Sequence, residues 1–214
     1  MDAGAVADTG SVVTDAGTNA DAASSCATLF AASFEDGFAQ GWVPQIAGAG
    51  TLSVEGGALK ASVQDKASAE LQRASPIARP KVRLRYRLRP GPPPAAAFYY
   101  EPGCALRMID GIGNSATIHL TADAAGFTLG CAGSKRTFLL ESEKWSSVEI
   151  VANVGNAKVL AGVSVDATTQ ELACDLPTPS FSIVSARVQC GILYAESGAF
   201  TAEIDDVSLE ECSL

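Results

Sequence analysis

The sequence predicts an all-β fold, an antiparallel sandwich or barrel, and three observations predict it. From about residue 28, short runs alternate apolar and polar residues with a period of two. Turn residues separate these runs at close, regular spacing. No helical periodicity persists over three turns, and no internal repeat suggests a propeller or solenoid.

Taken in order, LSV (52–54) and ALKASV (58–63) flank Glu55-Gly56-Gly57, which reads as a hairpin turn. KVRLRYRLR (81–89) alternates without a fault. AAAFYY (95–100), CALRMI (104–109), SATIHLTA (115–122) and GFTLGC (126–131) follow. RTFLL (136–140), WSSVEIVANV (145–154), AKVLAGVSVD (157–166) and QELAC (170–174) come next, then RVQCGILYA (187–195) and FTAEIDDVSL (200–209). Prolines gather at 90–94 and 177–179, where loops lose no ladder hydrogen bond.

Residues 1–25 have a different composition: Ala, Asp, Gly, Thr and Ser, with no aromatic residue. Such a segment cannot bury enough surface to offset the entropy of ordering, so it is expected to be a disordered tether ahead of one domain at 26–214. Met1 runs straight into Asp2-Ala3-Gly4, without the basic start and apolar block of a signal peptide. No stretch approaches the roughly 20 apolar residues of a spanning helix.

The six cysteines (Cys26, Cys104, Cys131, Cys174, Cys190 and Cys212) are dispersed, with no C-x-x-C pair and a single histidine, His119. That spacing disfavours a metal–thiolate centre and favours three disulfides in an oxidising compartment. The expected bridges are Cys26–Cys212, Cys104–Cys131 and Cys174–Cys190, either local or joining the termini. The expected location is therefore secreted or in the cell envelope, at an outer-membrane surface or in the periplasm. A net charge of −9 argues against nucleic acid and anionic lipid as partners.

Several local signatures resemble those of concanavalin A-like jelly rolls, the legume-lectin and laminin G group. They are FEDGFAQGW (34–42), GGALKASV (56–63), WSSVEIVANVGNAKVLAGVSVDA (145–167) and CGILYAESGAFTAEIDDVSLE (190–210). The resemblance covers about residues 28–210 and implies a jelly-roll β-sandwich. The galactose-binding-like jelly roll, which shares the opening and closing motifs, is the runner-up. In both groups the terminal strands lie side by side, which places Cys26 near Cys212. The first 25 residues resemble the segment behind the lipidated cysteine of bacterial lipoproteins, which implies a lipid anchor upstream.

The function this resemblance implies is noncatalytic binding of a carbohydrate or cell-surface polymer. The alternatives are a protein-binding adhesion or assembly module and a divergent glycoside hydrolase or lyase. Trp42, Tyr99, Tyr100 and Tyr194 are the candidate stacking platforms for a sugar ring. Trp145, which opens a strand, reads as core.

Lys81, Arg83, Arg85, Arg87 and Arg89 share one strand face, with Val82, Leu84, Tyr86 and Leu88 on the other. The cations read either as a platform for an acidic polymer, carried by Arg83, Arg85 and Arg87, or as one side of a cross-strand charge ladder. Glu203 and Asp205 alternate on the last strand and would supply the other side. Laminarinase-type hydrolases carry a Glu-x-Asp-x-(x)-Glu strand, in which carboxylates about 7 Å apart share one face. Here the third position falls at Val207 or Ser208, and neither transfers a proton.

Glu35, Asp36, Asp205 and Asp206 are the candidate ligands of a structural calcium, which takes about six to eight oxygens. The doubled acid at Asp205-Asp206 would mark a β-bulge, since Ile204 and Val207 both need to face inward. His119 shares a polar strand face with Thr117 and Thr121 and by itself specifies no chemistry.

Overall fold

The computed structural model describes residues 25–38, 41–93, 98–155 and 158–213. The tether expected at 1–25 lies outside these residues except for Ser25, and so do the first three residues of AAAFYY. Every strand pairing among the described residues is antiparallel.

Thirteen strands form one continuous ladder among the described residues. They are β1 (Cys26–Ala32), β2 (Val43–Glu55), β3 (Ala58–Pro76), β4 (Lys81–Pro90), β5 (Tyr99–Asp110), β6 (Ser115–Asp123), β7 (Gly126–Cys131), β8 (Ser134–Phe138), β9 (Ser146–Val154), β10 (Lys158–Val165), β11 (Thr168–Asp175), β12 (Ile183–Ala195) and β13 (Ala199–Cys212). Tyr99 and Tyr100, which end the run AAAFYY, therefore belong to the same strand as CALRMI, β5.

The ladder folds into two layers because β3 changes partner. Its first half pairs with β13, from Leu59↔Ile204 to Gln64↔Ala199. Its second half pairs with β12, from Ala67↔Ala195 to Pro76↔Ser185. Between the halves, Asp65 and Lys66 hold φ of 41° and 39°, and the β2 register breaks opposite them between Ala47 and Ala49. One layer then runs β11-β10-β9-β4-β13-β3, and the other β3-β12-β5-β6-β7-β8, with β2 following β3 round the corner. This is a sandwich, one of the two architectures the periodicity allows, and it is the jelly roll that the resemblance implies.

The core lies between the layers. Leu84, Leu88, Ile150, Val163, Ile204 and Leu209 from one side meet Leu106, Met108, Ile118, Leu129, Val188 and Ile192 from the other, all fully buried. Alternation along each strand assigns these faces. The layers touch where Tyr86 of β4 reaches Gly103 of β5. A Cβ on Gly103 would sit 3.2 Å from the Tyr86 ring and hydroxyl, and its φ of 96° is in the left-handed region.

The disulfides correct two of the three expected bridges. Cys26 and Cys212 are joined as expected, directly opposite in the β1–β13 ladder with Cα atoms 4.0 Å apart. Cys104 bonds Cys190, its register partner across β5 and β12, and Cys131 bonds Cys174. Closeness in sequence misled because β6 separates β5 from β7, while Cys174 lies on the outermost strand of the opposite layer.

Candidate functional site

The arginine face of β4 is a charge ladder. Arg83 binds Glu210, Arg85 lies 2.5 Å from Glu149 and 3.6 Å from Glu210, and Arg89 binds Glu203. Arg87 lies 3.8 Å from Asp205 and 3.5 Å from Asp206. β4 lies between β9 and β13, both of which carry acids at the matching register. Of the two readings of Arg83, Arg85 and Arg87, the geometry is that of cross-strand pairing.

A shallow cleft of about 530 Å³ opens on this face, walled by Arg85, Arg87, Glu149, Asp166 and Asp206 over Ser147, Ser164 and Ser208. Trp145, expected in the core, is instead half-exposed beside it, with the Arg87 and Arg89 guanidinium carbons 4.8 and 5.3 Å from its ring. It stands just before β9, whose first residue, Ser146, is buried, so the parity that buries Val148 and Ile150 turns the indole outward.

Among the described residues, the acids considered for calcium do not form a group of three ligands within reach of one another. Glu35 and Asp36 are exposed in the turn after β1, while Asp205 and Asp206 face Arg87. Asp206 does form the expected bulge: φ is 50°, the β13–β4 register shifts between Asp205 and Ser208, and Ile204 and Val207 both point inward. Among the described residues, the one cluster of three metal-ligand types is Cys26, Glu210 and Cys212, and its sulfurs form a disulfide.

The four aromatic candidates separate into two pairs. Trp42 is buried edge-on to Phe30, 5.5 Å between ring centres, and Tyr100 is stacked on Phe200 at 4.3 Å. Both rings are spent on core packing, so neither offers a face to a ligand. Tyr99 and Tyr194 point the other way, onto the outer face of β5 and β12, with ring centres 6.2 Å apart and Tyr194 40% exposed. The Tyr99 hydroxyl donates to Glu101 at 2.8 Å. Burial first, and then the Glu101 carboxylate, raise its pKa, so the phenol remains a donor.

From these tyrosines a polar strip continues across β6-β5-β12-β3. Glu70 on β3 is buried, and its Oε1 accepts from Gln72 at 2.6 Å and Gln189 at 3.0 Å, while its Oε2 has no partner. Opposite Glu70 stands Gly191, and opposite that Gly103, which leaves bare backbone beside the carboxylate. Gly191 (φ 146°) admits no side chain, because a Cβ would lie 2.2 Å from the Ala69 carbonyl oxygen. On β6, His119 is half-buried with Nδ1 unpartnered. Further along, Arg107 and Arg187 stand directly opposite one another.

Sequence reading did not find this strip. Glu70 and Gln72 lie in QDKASAELQRASP, whose alternation is masked by alanine, and the Arg107–Arg187 juxtaposition exists only through the β5–β12 register. The available signal was the His119 face, with Thr117 and Thr121 on a strand otherwise buried at every second position.

No protein-family model matches the sequence, and no curated protein sequence matches it. Solved structures do match in fold. The Lotus tetragonolobus seed lectin superposes with a TM-score of 0.60 at 6% identity, covering 88% of this chain and all of the lectin. A Bacillus subtilis protein with a galectin-like fold gives 0.58 at 13% identity, covering 87% and 96%. A sialidase gives 0.58 at 17% identity over 79% of this chain, which spans 17% of the sialidase. The likeness is one of fold: a concanavalin A-like jelly roll.

Proposed function

We propose that this chain binds a glycan noncovalently along the outer face of β6-β5-β12-β3, as the recognition domain of an exported bacterial protein. The observation that carries the reading is the Tyr99–Tyr194 pair at one end of a hydrogen-bonding strip. An exposed tyrosine ring packs the C–H face of a sugar while Glu101, Gln72, Gln189 and backbone groups exchange hydrogen bonds with its hydroxyls. The strip from Tyr99 to Arg107 follows β5 for roughly 25 Å, long enough for an extended chain. Structures named as lectins share the fold, and three disulfides suit an oxidising compartment.

The test is a glycan and polysaccharide array on the oxidised protein, run with calcium and with a chelator. Selective binding that falls at least about tenfold in Tyr194→Ala supports the reading, a loss in the range expected for a stacked aromatic anchor. Loss of binding in the chelator arm would assign calcium a part in the site. A blank array in both arms overturns the reading.

A further inference from the structure

The strip ends in two arginines that nothing among the described residues neutralises. Arg107 on β5 and Arg187 on β12 are register partners, so their side chains leave the same sheet face from directly opposite positions. Like charges placed so repel one another. Neither has a hydrogen bond or an ion pair among the described residues, and the Arg107 Nε is buried without a partner.

The contrast with β4 is internal to the molecule. There, Arg83, Arg85, Arg87 and Arg89 all meet carboxylates on flanking strands. Around the second pair the same register holds small, uncharged residues: Ala74 opposite Arg187 on β3 and Thr117 opposite Arg107 on β6. Ser185 lies two positions from Arg187 on its own strand. The nearest acid along β3 is Glu70, four residues or roughly 13 Å from the Arg187 row, and its Oε1 is occupied by Gln72 and Gln189. In a chain of net charge −9, two adjacent cations without acids are a local exception.

We propose that Arg107 and Arg187 form an anion subsite that makes the ligand an acidic polysaccharide, one bearing carboxylate or sulfate groups. This inference rests on the glycan reading above and adds the ligand's class. Two planar guanidinium forks, side by side over short neighbours, fit an oxyanion on a flexible chain, because each presents paired donors to a carboxylate or sulfate. The neutral part of that chain continues over Gln189 and Gln72 toward Tyr194. A nucleic-acid backbone would call for a longer run of cations than two.

The experiment is affinity electrophoresis of the oxidised full chain in gels containing dextran, dextran sulfate, polygalacturonate or its methyl ester. The proteins are wild type, the double variant Arg107→Gln/Arg187→Gln, and Arg83→Gln as a control from the neutralised ladder. The expected result is retardation by dextran sulfate or polygalacturonate but not by dextran or the ester, weakening as salt rises. The double variant loses at least about tenfold in affinity, as removal of charge-assisted hydrogen bonds implies, whereas Arg83→Gln matches wild type. The sulfated and carboxylated arms tell which anion is read. The outward-facing substitutions leave the core intact, and unchanged thermal unfolding of the double variant checks this. Equal binding to dextran, or an unaltered double variant, overturns the anion subsite and leaves glycan binding standing. No retardation by any polymer, together with a blank array, overturns both.

Discussion

Cys131 at the end of β7, next to the edge strand β8, is bonded to Cys174 near the end of β11, the edge strand of the other layer. Around the bridge, Asp175 donates its backbone N–H to Ala132 at 2.9 Å, and Gln170 donates to the Thr137 carbonyl at 3.0 Å. At the opposite side of the sandwich β3 carries the backbone across. The bridge is thus a covalent clasp on the side where no strand runs from one layer into the other.

Removing that clasp will destabilise the fold more than any exposed ion pair. The bridge spans 43 residues of sequence. Cys131→Ser/Cys174→Ser is expected to lower the unfolding free energy by roughly 3–4 kcal/mol, through the entropy regained by the unfolded chain. Denaturant unfolding under non-reducing conditions measures it, and a loss below about 1 kcal/mol would contradict the clasp.

The arginine ladder will contribute unevenly. Arg85 and Glu149 are both substantially exposed, so Arg85→Gln should cost under about 1 kcal/mol and lose its effect in high salt. Glu210 is only 12% exposed and serves both Arg83 and Arg85. Glu210→Gln is therefore expected to cost more, about 1–2 kcal/mol. Chemical denaturation with urea at low and high salt separates the two, and equal losses would show that shared burial does not matter here.

Gly103 will not accept alanine. Its φ of 96° and the 3.2 Å approach of a Cβ to Tyr86 both oppose it. Gly103→Ala is expected to destabilise by about 1–3 kcal/mol, seen as a lower Tm. An unchanged Tm would mean that β5 can shift away from β4, and that the layers meet less rigidly at this point than their geometry indicates.

Much of the fold was legible because strand periodicity is a local property. KVRLRYRLR and SATIHLTA alternate strictly, FTAEIDDVSL does so on either side of its bulge, and each buries the face its pattern specifies. The doubled acid at Asp205-Asp206 gave away the bulge for the same reason. Strands poor in branched apolar residues were not legible: the first half of β2 and the second half of β3 carry alanine, glycine and polar side chains. They are held by pairing with neighbours rather than by their own pattern, and Glu70 and Gln72 went unseen with them.

By itself the sequence determined the strand class, the burial parity of most strands and a dispersed set of six cysteines that favours disulfides, while the terminal bridge followed from the family resemblance. Only the tertiary structure decided which arginines are neutralised, which tyrosines face solvent, and how four of the cysteines pair. The reason is the same in each case. Alternation tells which face a residue takes, whereas its partner is set by the strand alongside, and strands adjacent in space here are often far apart in the chain. Arg83 met Glu210 and Arg107 met Arg187 through register alone.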